Sequence, residues 1–204
     1  MSKDRALTAG EIALAKIIYK DSIDYGRVKV HNHKKHFFQP KNAGMTPNGN
    51  MYMAKNVYVA DYSHTNGIGQ AFFIHEMAHV WQYQLRVLNP RWAAIGEFFE
   101  HLFQYGKAYY YTLEPNKDLL DYDIEQQAAI LEDYFYTTRF NTKPYSPHMK
   151  NDYNTVVKEK LFDKVLMKFL ANPSYARHKK KSKSGVELSE SNILPRKHNQ
   201  VKSR

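Results

Sequence analysis

The sequence predicts an α+β fold with a small sheet and several helices, and three observations carry that expectation. Its 204 residues, 43% of them apolar and 14% aromatic, suffice for one well-buried core and are few for two. Two runs, Arg27 to His31 and Asn50 to Asp61, are alternating or rich in β-forming residues. Longer segments with apolar residues at helical spacing flank and follow these runs.

The elements follow in order. Thr8-Ala9-Gly10-Glu11 has the form of a capping box, and Ile12, Ala15, Ile18 and Tyr19 continue at helical spacing, which predicts a short first helix. Val28 and Val30 mark the first strand; Tyr52, Val57, Tyr58 and Val59 mark the second. Between them, Thr46-Pro47-Asn48-Gly49-Asn50 is turn chemistry. Gly67-Ile68-Gly69 precedes a helix from Gln70 to Arg86, closed by Asn89-Pro90. A further helix is expected over Trp92 to Tyr105, with Gly106 as its stop. Another runs from Asp121 to Arg139, its buried side marked by Ala128, Leu131 and Phe135. The last spans Tyr153 to Ala171 on a stripe of Val157, Leu161, Val165 and Leu166. After Pro173 the chain turns polar and basic and is expected to be disordered. The domain reading is therefore one folded unit over residues 1–176 and a basic tail over 177–204.

Composition narrows the chemistry. With no cysteine, disulfides, thiolate nucleophiles and cysteine-based zinc sites are all excluded, so any metal must be held by His, Asp or Glu. No run approaches the ~20 apolar residues of a membrane span. Met1-Ser2-Lys3-Asp4-Arg5 opens no secretory signal, so the expected location is the cytoplasm, or export by a system that reads no such signal. Of the net charge of +10, residues 177–204 carry +7, from nine Lys or Arg against two Glu. A basic tail on a nearly neutral body reads as a solvated appendage that contacts polyanions non-specifically, not as a nucleic-acid site.

The chemistry-bearing motif is His75-Glu76-Met77-Ala78-His79. Two His four apart on a helix lie about 40° apart around the axis, one turn separated, so both rings can reach one ion. Glu76 sits beside that line, where it can take a proton from water activated by zinc for attack on a carbonyl. Ten His and ten Glu in 204 positions would produce such a match by chance only roughly 2–3% of the time. The rest of the helix is almost wholly apolar (Phe73, Ile74, Met77, Ala78, Val80, Trp81, Leu85), and so buried a helix should not carry His75, Glu76 and His79 unless something satisfies them.

The third ligand separates the zincin subclasses. The metzincin pattern would continue with a Gly and a third His, but those positions are Gln82 and Leu85. The gluzincin pattern takes a Glu from a later helix, and Glu125-Gln126-Gln127-Ala128 fits one of its forms. Glu132, seven residues on, lies on nearly the same face and is the rival ligand or an outer acid; His101 or an Asp are further alternatives. Tyr109, Tyr110, Tyr111, Tyr122 and Tyr134 are candidates for stabilising an oxyanion, although most of 16 Tyr must simply pack. His31, His33 and His36 could form a second metal cluster, but loop histidines beside lysines are expected to be solvent-exposed. The run Tyr52 to Ala60 could pair with an extended substrate or be purely structural.

Around His75-Glu76-Met77-Ala78-His79-Val80-Trp81-Gln82 the chain resembles a bacterial family of zincin-like proteins found beside type VI secretion spike (Vgr) and Rhs proteins. The likeness extends to Leu7-Thr8-Ala9-Gly10-Glu11, Tyr25-Gly26-Arg27-Val28-Lys29-Val30-His31-Asn32, Met45-Thr46-Pro47-Asn48-Gly49-Asn50 and Ile124-Glu125-Gln126-Gln127-Ala128, roughly the first 140 residues. The resemblance implies a minimal zincin-like, gluzincin-type metallopeptidase domain with zinc on His75, His79 and Glu125, and Glu76 as general base. It also implies a secretion-associated effector, with a peptide or protein substrate, Vgr or Rhs spike proteins and an immunity protein as partners. One departure stands out: the acid expected four residues after the third ligand is Ala129. The rival expectation is a non-catalytic adaptor with structural zinc, attached to secretion machinery; retention of Glu76 favours the enzyme.

Overall fold

The computed structural model describes residues 4–37, 39–87, 107–140, 147–150 and 155–177. The helix expected over residues 92–105, with His101, and the tail beyond Arg177 lie outside the described residues.

The described chain is mixed α+β. The sheet has three strands, β1 (Asp4–Ala6), β2 (Lys29–His31) and β3 (Met51–Tyr52), in the order β1-β2-β3. β1 runs antiparallel to β2 with Asp4 opposite His31 and Arg5 opposite Val30. β3 runs parallel to β2 with Val30 opposite Met51 and His31 opposite Tyr52. β1 carries no alternation in its three residues, so nothing local announced it. A polar hub holds it: the buried Glu11 carboxylate takes both Nη atoms of Arg5 at 2.7 Å, and also accepts from the backbone of Thr8 and Tyr62.

The strand expected over residues 50–61 is cut short. Only Met51–Tyr52 pairs as strand, and at Ala54 the chain folds into a turn in which the carbonyl accepts from both Val57 and Tyr58 N–H. Lys55-Asn56 suits a turn, and the β-rich Val57, Tyr58 and Val59 pack on the core without sheet pairing. Tyr52 instead exchanges both backbone hydrogen bonds with Met45, which makes residues 43–54 a hairpin-like loop. Gly49, at φ +76°, takes its turn against the Tyr83 ring.

The four α-helices among the described residues follow from local signals. In α1 (Ala9–Tyr19) the Thr8–Glu11 capping box forms as expected. α2 (Gly67–Gln84) begins three residues earlier than its apolar pattern suggested, because Asn66 accepts from Gly69 N–H and supplies the N-cap. Residues 73–82 of α2 are buried without interruption. Each of Phe73, Ile74 and Met77 so removed from water contributes about 1.5–3 kcal/mol before entropy is counted. Among the described residues, α3 (Ile124–Phe140) packs along α2 more extensively than any other pair of elements, and it buries Ala128, Ala129, Leu131 and Phe135.

α4 (Thr155–Ala171) buries Phe162, Val165, Leu166 and Phe169; Val157, expected on that stripe, is exposed. The ordered chain does not stop at Pro173. Pro173–Tyr175 form a 3-10 turn, Trp81 Nε1–H donates to the Pro173 carbonyl at 2.9 Å, and Ala176 is buried. No helix among the described residues is long and apolar enough to cross a membrane.

Candidate metal centre

α2 presents His75 and His79 one turn apart, their rings 5.1 Å between centroids. α3 brings Glu125, in its first turn, where the helix N-terminus favours a carboxylate. Glu125 Oε2 lies 3.4 Å from His75 Nε2 and 3.3 Å from His79 Nε2. All three residues are buried. These separations match the edge of a tetrahedral donor set with bonds of roughly 2.0–2.1 Å, which is about 3.3–3.4 Å. Glu125 Oε2 is shielded from water and has no hydrogen-bond partner of good geometry. Three donors therefore converge on one point without bonding one another, and a zinc-class ion fits that point.

The outer nitrogens explain how the rings are aimed. His75 Nδ1 meets Glu132 Oε2 at 3.0 Å, and a carboxylate can only accept there. His79 Nδ1 meets Gln82 Oε1 at 2.8 Å. The Gln82 amide nitrogen donates to the Ile124 carbonyl and to Gln127 Oε1, so its oxygen must accept from His79. Both rings are thereby held with a proton on Nδ1 and Nε2 aimed inward. Gln82 also fastens the His79 turn of α2 to the residue preceding Glu125.

Glu76 stands on the adjacent face, buried, with Oε2 accepting from Thr46 Oγ1 at 2.5 Å. The 43–54 loop passes so close that a Cβ on Gly44 would lie 2.5 Å from Glu76 Oε1, so any larger residue there would displace the Glu76 carboxylate. Burial pushes the Glu76 carboxyl above its usual range, partly offset by His79, His75 and Thr46. For His75, burial opposes the charged ring, but Glu125 and Glu132 outweigh it and raise its pKa well above normal. For His79, burial is likewise outweighed by Glu125, and the pKa is raised. Burial would raise Glu125, yet the two imidazoles hold it well below the usual carboxylate range. The surroundings favour positive charge at the centre of this cluster.

His75, Glu76, His79 and Glu125 are thus brought together; of the rivals, Glu132 lies among the described residues and His101 does not. Glu132 reaches the outer nitrogen of His75, not the inner one. Among the tyrosines, Tyr109 borders the site, its ring 5.7 Å from those of both His75 and His148. Tyr111 is instead committed to Asp133 at 2.6 Å, Tyr122 to the backbone of Thr112 and Glu114, and Tyr134 packs on Phe162. Tyr110 is half exposed beside His148.

Thr46 and His148 went unnoticed in the sequence, because neither stands at a fixed spacing from the motif. His148 is placed by backbone pairing with Tyr111 and faces Glu132 and Asp133 at 4.0 and 3.8 Å. Gln82 had a signal, three residues past His79, that was used only to exclude a subclass. His31 ends β2, as the strand expected over Arg27 to His31 has it, but its ring is mostly buried and stacked on Tyr52, where solvent exposure was expected.

Fold and site together define an α+β domain built around a buried His-His-Glu cluster with a second glutamate beside it. No model of a known protein family matches the sequence. The type VI secretion system spike protein VgrG2b of Pseudomonas aeruginosa is 44% identical over 135 residues, a stretch covering 64% of this chain and 13% of that protein. The chain thus spans only a small part of that relative's length. Among solved structures, the effector domain of Pseudomonas aeruginosa VgrG2b superposes with a TM-score of 0.62 at 37% identity, covering 79% of this chain and 83% of that domain. The chain belongs to the family of the VgrG2b effector domain.

Proposed function

We propose that this chain is a zinc-dependent hydrolase with a zincin-like catalytic domain, a metallopeptidase cleaving peptide or amide bonds, and that it serves as a type VI secretion-associated effector. The observation that carries the hydrolase reading is the buried, unpartnered Glu125 Oε2 between two inward-facing imidazoles, with the Glu76 carboxylate alongside. His75, His79 and Glu125 would hold the ion. Zinc bound there supplies Lewis acidity toward water and a carbonyl oxygen.

The chain's own groups do the rest. Glu76 takes the proton of the attacking water and returns it to the leaving amine. Thr46 Oγ1–H fixes one Glu76 oxygen, which leaves the other, beside Gly44, free to face substrate. Tyr109 borders the cluster on the side of His75 and is the candidate hydrogen-bond donor to the developing oxyanion. A purely structural site needs no buried carboxylate at position 76, which favours the enzyme over an adaptor.

The effector role rests on kinship with a domain described as an effector and carried by a spike protein. That kinship supports association with a Vgr-type spike and export without a signal peptide; on the present reading an Rhs-type spike, an immunity protein and a peptide or protein substrate are further partners. Residues 1–176 form the catalytic unit and 177–204 a basic appendage.

The test is zinc analysis and a peptide-hydrolysis screen on wild type and Glu76→Gln, with both also expressed in a sensitive bacterium, in the cytoplasm and with an added export signal. The expected result is one zinc at this cluster in both proteins, with hydrolysis and growth arrest in wild type alone. Equal toxicity of both would refute zinc chemistry as its cause. Zinc without hydrolysis or toxicity in any arm would favour the adaptor.

A further inference from the structure

The sheet edge holds a second convergence of metal-type donors, away from the cluster on α2 and α3. Asp4 on β1 lies directly across the ladder from His31 on β2, and His33 follows two residues later. Asp4 Oδ1 is 2.8 Å from His31 Nδ1 and 3.7 Å from His33 Nε2. One donor atom from each residue lies within 4.8 Å of the other two.

Two features set this group apart from an ordinary surface ion pair. The first is aim. Although Asp4 is 2.8 Å away, neither His31 nitrogen has a hydrogen bond of good geometry, and both nitrogens are shielded from water. An imidazole so placed needs a partner. The second is rigidity. His31 stacks on Tyr52 of β3 at 4.3 Å and 10° between planes, and the His33 ring meets the same Tyr52 at 5.7 Å. The sheet register places His31 opposite both Asp4 and Tyr52, so strand pairing preorganises the donors. Of the neighbouring lysines, Lys34 Nζ is engaged on the Phe37 and Gln39 carbonyls, and Lys35 Nζ lies over the Tyr52 ring at 4.7 Å.

We propose that Asp4, His31 and His33 form a second, peripheral site for a divalent transition-metal ion of the zinc class, which clasps the amino-terminal strand to the sheet. Two imidazoles and a carboxylate are the donor set such ions prefer over magnesium or calcium. His33 and Asp4 are 45% and 50% exposed, so the remaining coordination positions belong to water. β1 is only three residues long, and a bond across its Asp4–His31 pair would stiffen it where the ladder begins.

The test uses protein without a polyhistidine tag, dialysed at fixed micromolar free Zn(II), with bound zinc counted per chain. Expected counts are two for wild type, one for Asp4→Asn/His33→Gln, and one for His75→Gln/His79→Gln. Both Asp4 and His33 are exposed enough for that double variant to fold. If the His75/His79 variant does not fold, the comparison of wild type with Asp4→Asn/His33→Gln decides alone. Zinc should also raise the melting temperature of His75→Gln/His79→Gln, and that rise should vanish when Asp4→Asn and His33→Gln are added. An unchanged zinc count on replacing Asp4 and His33 overturns the proposal while leaving the central site intact. Loss of zinc only from the His75/His79 variant does the same.

Discussion

Glu132 meets His75 at Nδ1, 3.0 Å away, on the opposite side of the ring from Glu125. The two glutamates, seven residues apart on α3, thus flank one imidazole, one at each nitrogen. Removing the inner partner should deprive the ion of a donor, whereas removing the outer one should only loosen the ring. Glu125→Ala is expected to lose most bound zinc. Glu132→Gln, whose amide oxygen still accepts from Nδ1–H, should weaken affinity by at most ~10–100-fold. Competition with a chromophoric chelator measures both; the reverse order would exchange the two roles.

Gln82 joins His79 to the Ile124 carbonyl and to Gln127, all within the buried α2–α3 interface. Gln82→Leu keeps approximate volume but leaves the Gln127 amide oxygen and the His79 Nδ1–H without this partner. The expected cost is about 1–3 kcal/mol in denaturant unfolding, with weaker zinc binding as well. A destabilised protein with undiminished zinc affinity would show that Gln82 serves packing alone.

Arg5 should matter far beyond what a three-residue strand suggests. Its guanidinium makes a two-pronged pair with the fully buried Glu11, and it also donates to the Val59 carbonyl. Arg5→Ala would strand that carboxylate without a counter-charge, at a cost of about 3–5 kcal/mol. Arg5→Ala/Glu11→Met should recover much of the loss, which urea titration of the two variants would reveal.

The carboxy-terminal boundary can be located by truncation. Deletion after Arg177 should leave the melting temperature and the zinc content of the central site nearly unchanged, because residues 178–204 are dense in charge with little apolar periodicity. Deletion after Ala171 should instead cost about 1–3 kcal/mol, since it removes the carbonyl that satisfies the buried Trp81 Nε1–H and the Tyr175–Asp118 hydrogen bond. A comparable loss on the shorter deletion would mean that the tail docks on the body.

What the sequence determined by itself is local in origin. The capping box at Thr8, the helix holding His75, Glu76 and His79, and the helix that starts near Glu125 were all legible, because helix signals lie within a turn or two of each other. The pairing of His75 with His79 is a consequence of helical period alone. Candidates for a third donor were legible only as a short set of acids on one face of a later helix. Tertiary structure separates their positions: where α2 packs on α3, Glu125 stands at the two Nε2 atoms and Glu132 at Nδ1. The same holds wherever partners are far apart in the chain. Thr46 reaches Glu76 across 30 residues and Asp4 faces His31 across a ladder that its three-residue strand gave no sign of, so neither contact has a sequence period to betray it. Val57 to Val59 show the converse, since their β-rich pattern is real but among the described residues no strand pairs with it, and pairing, not propensity, makes a strand.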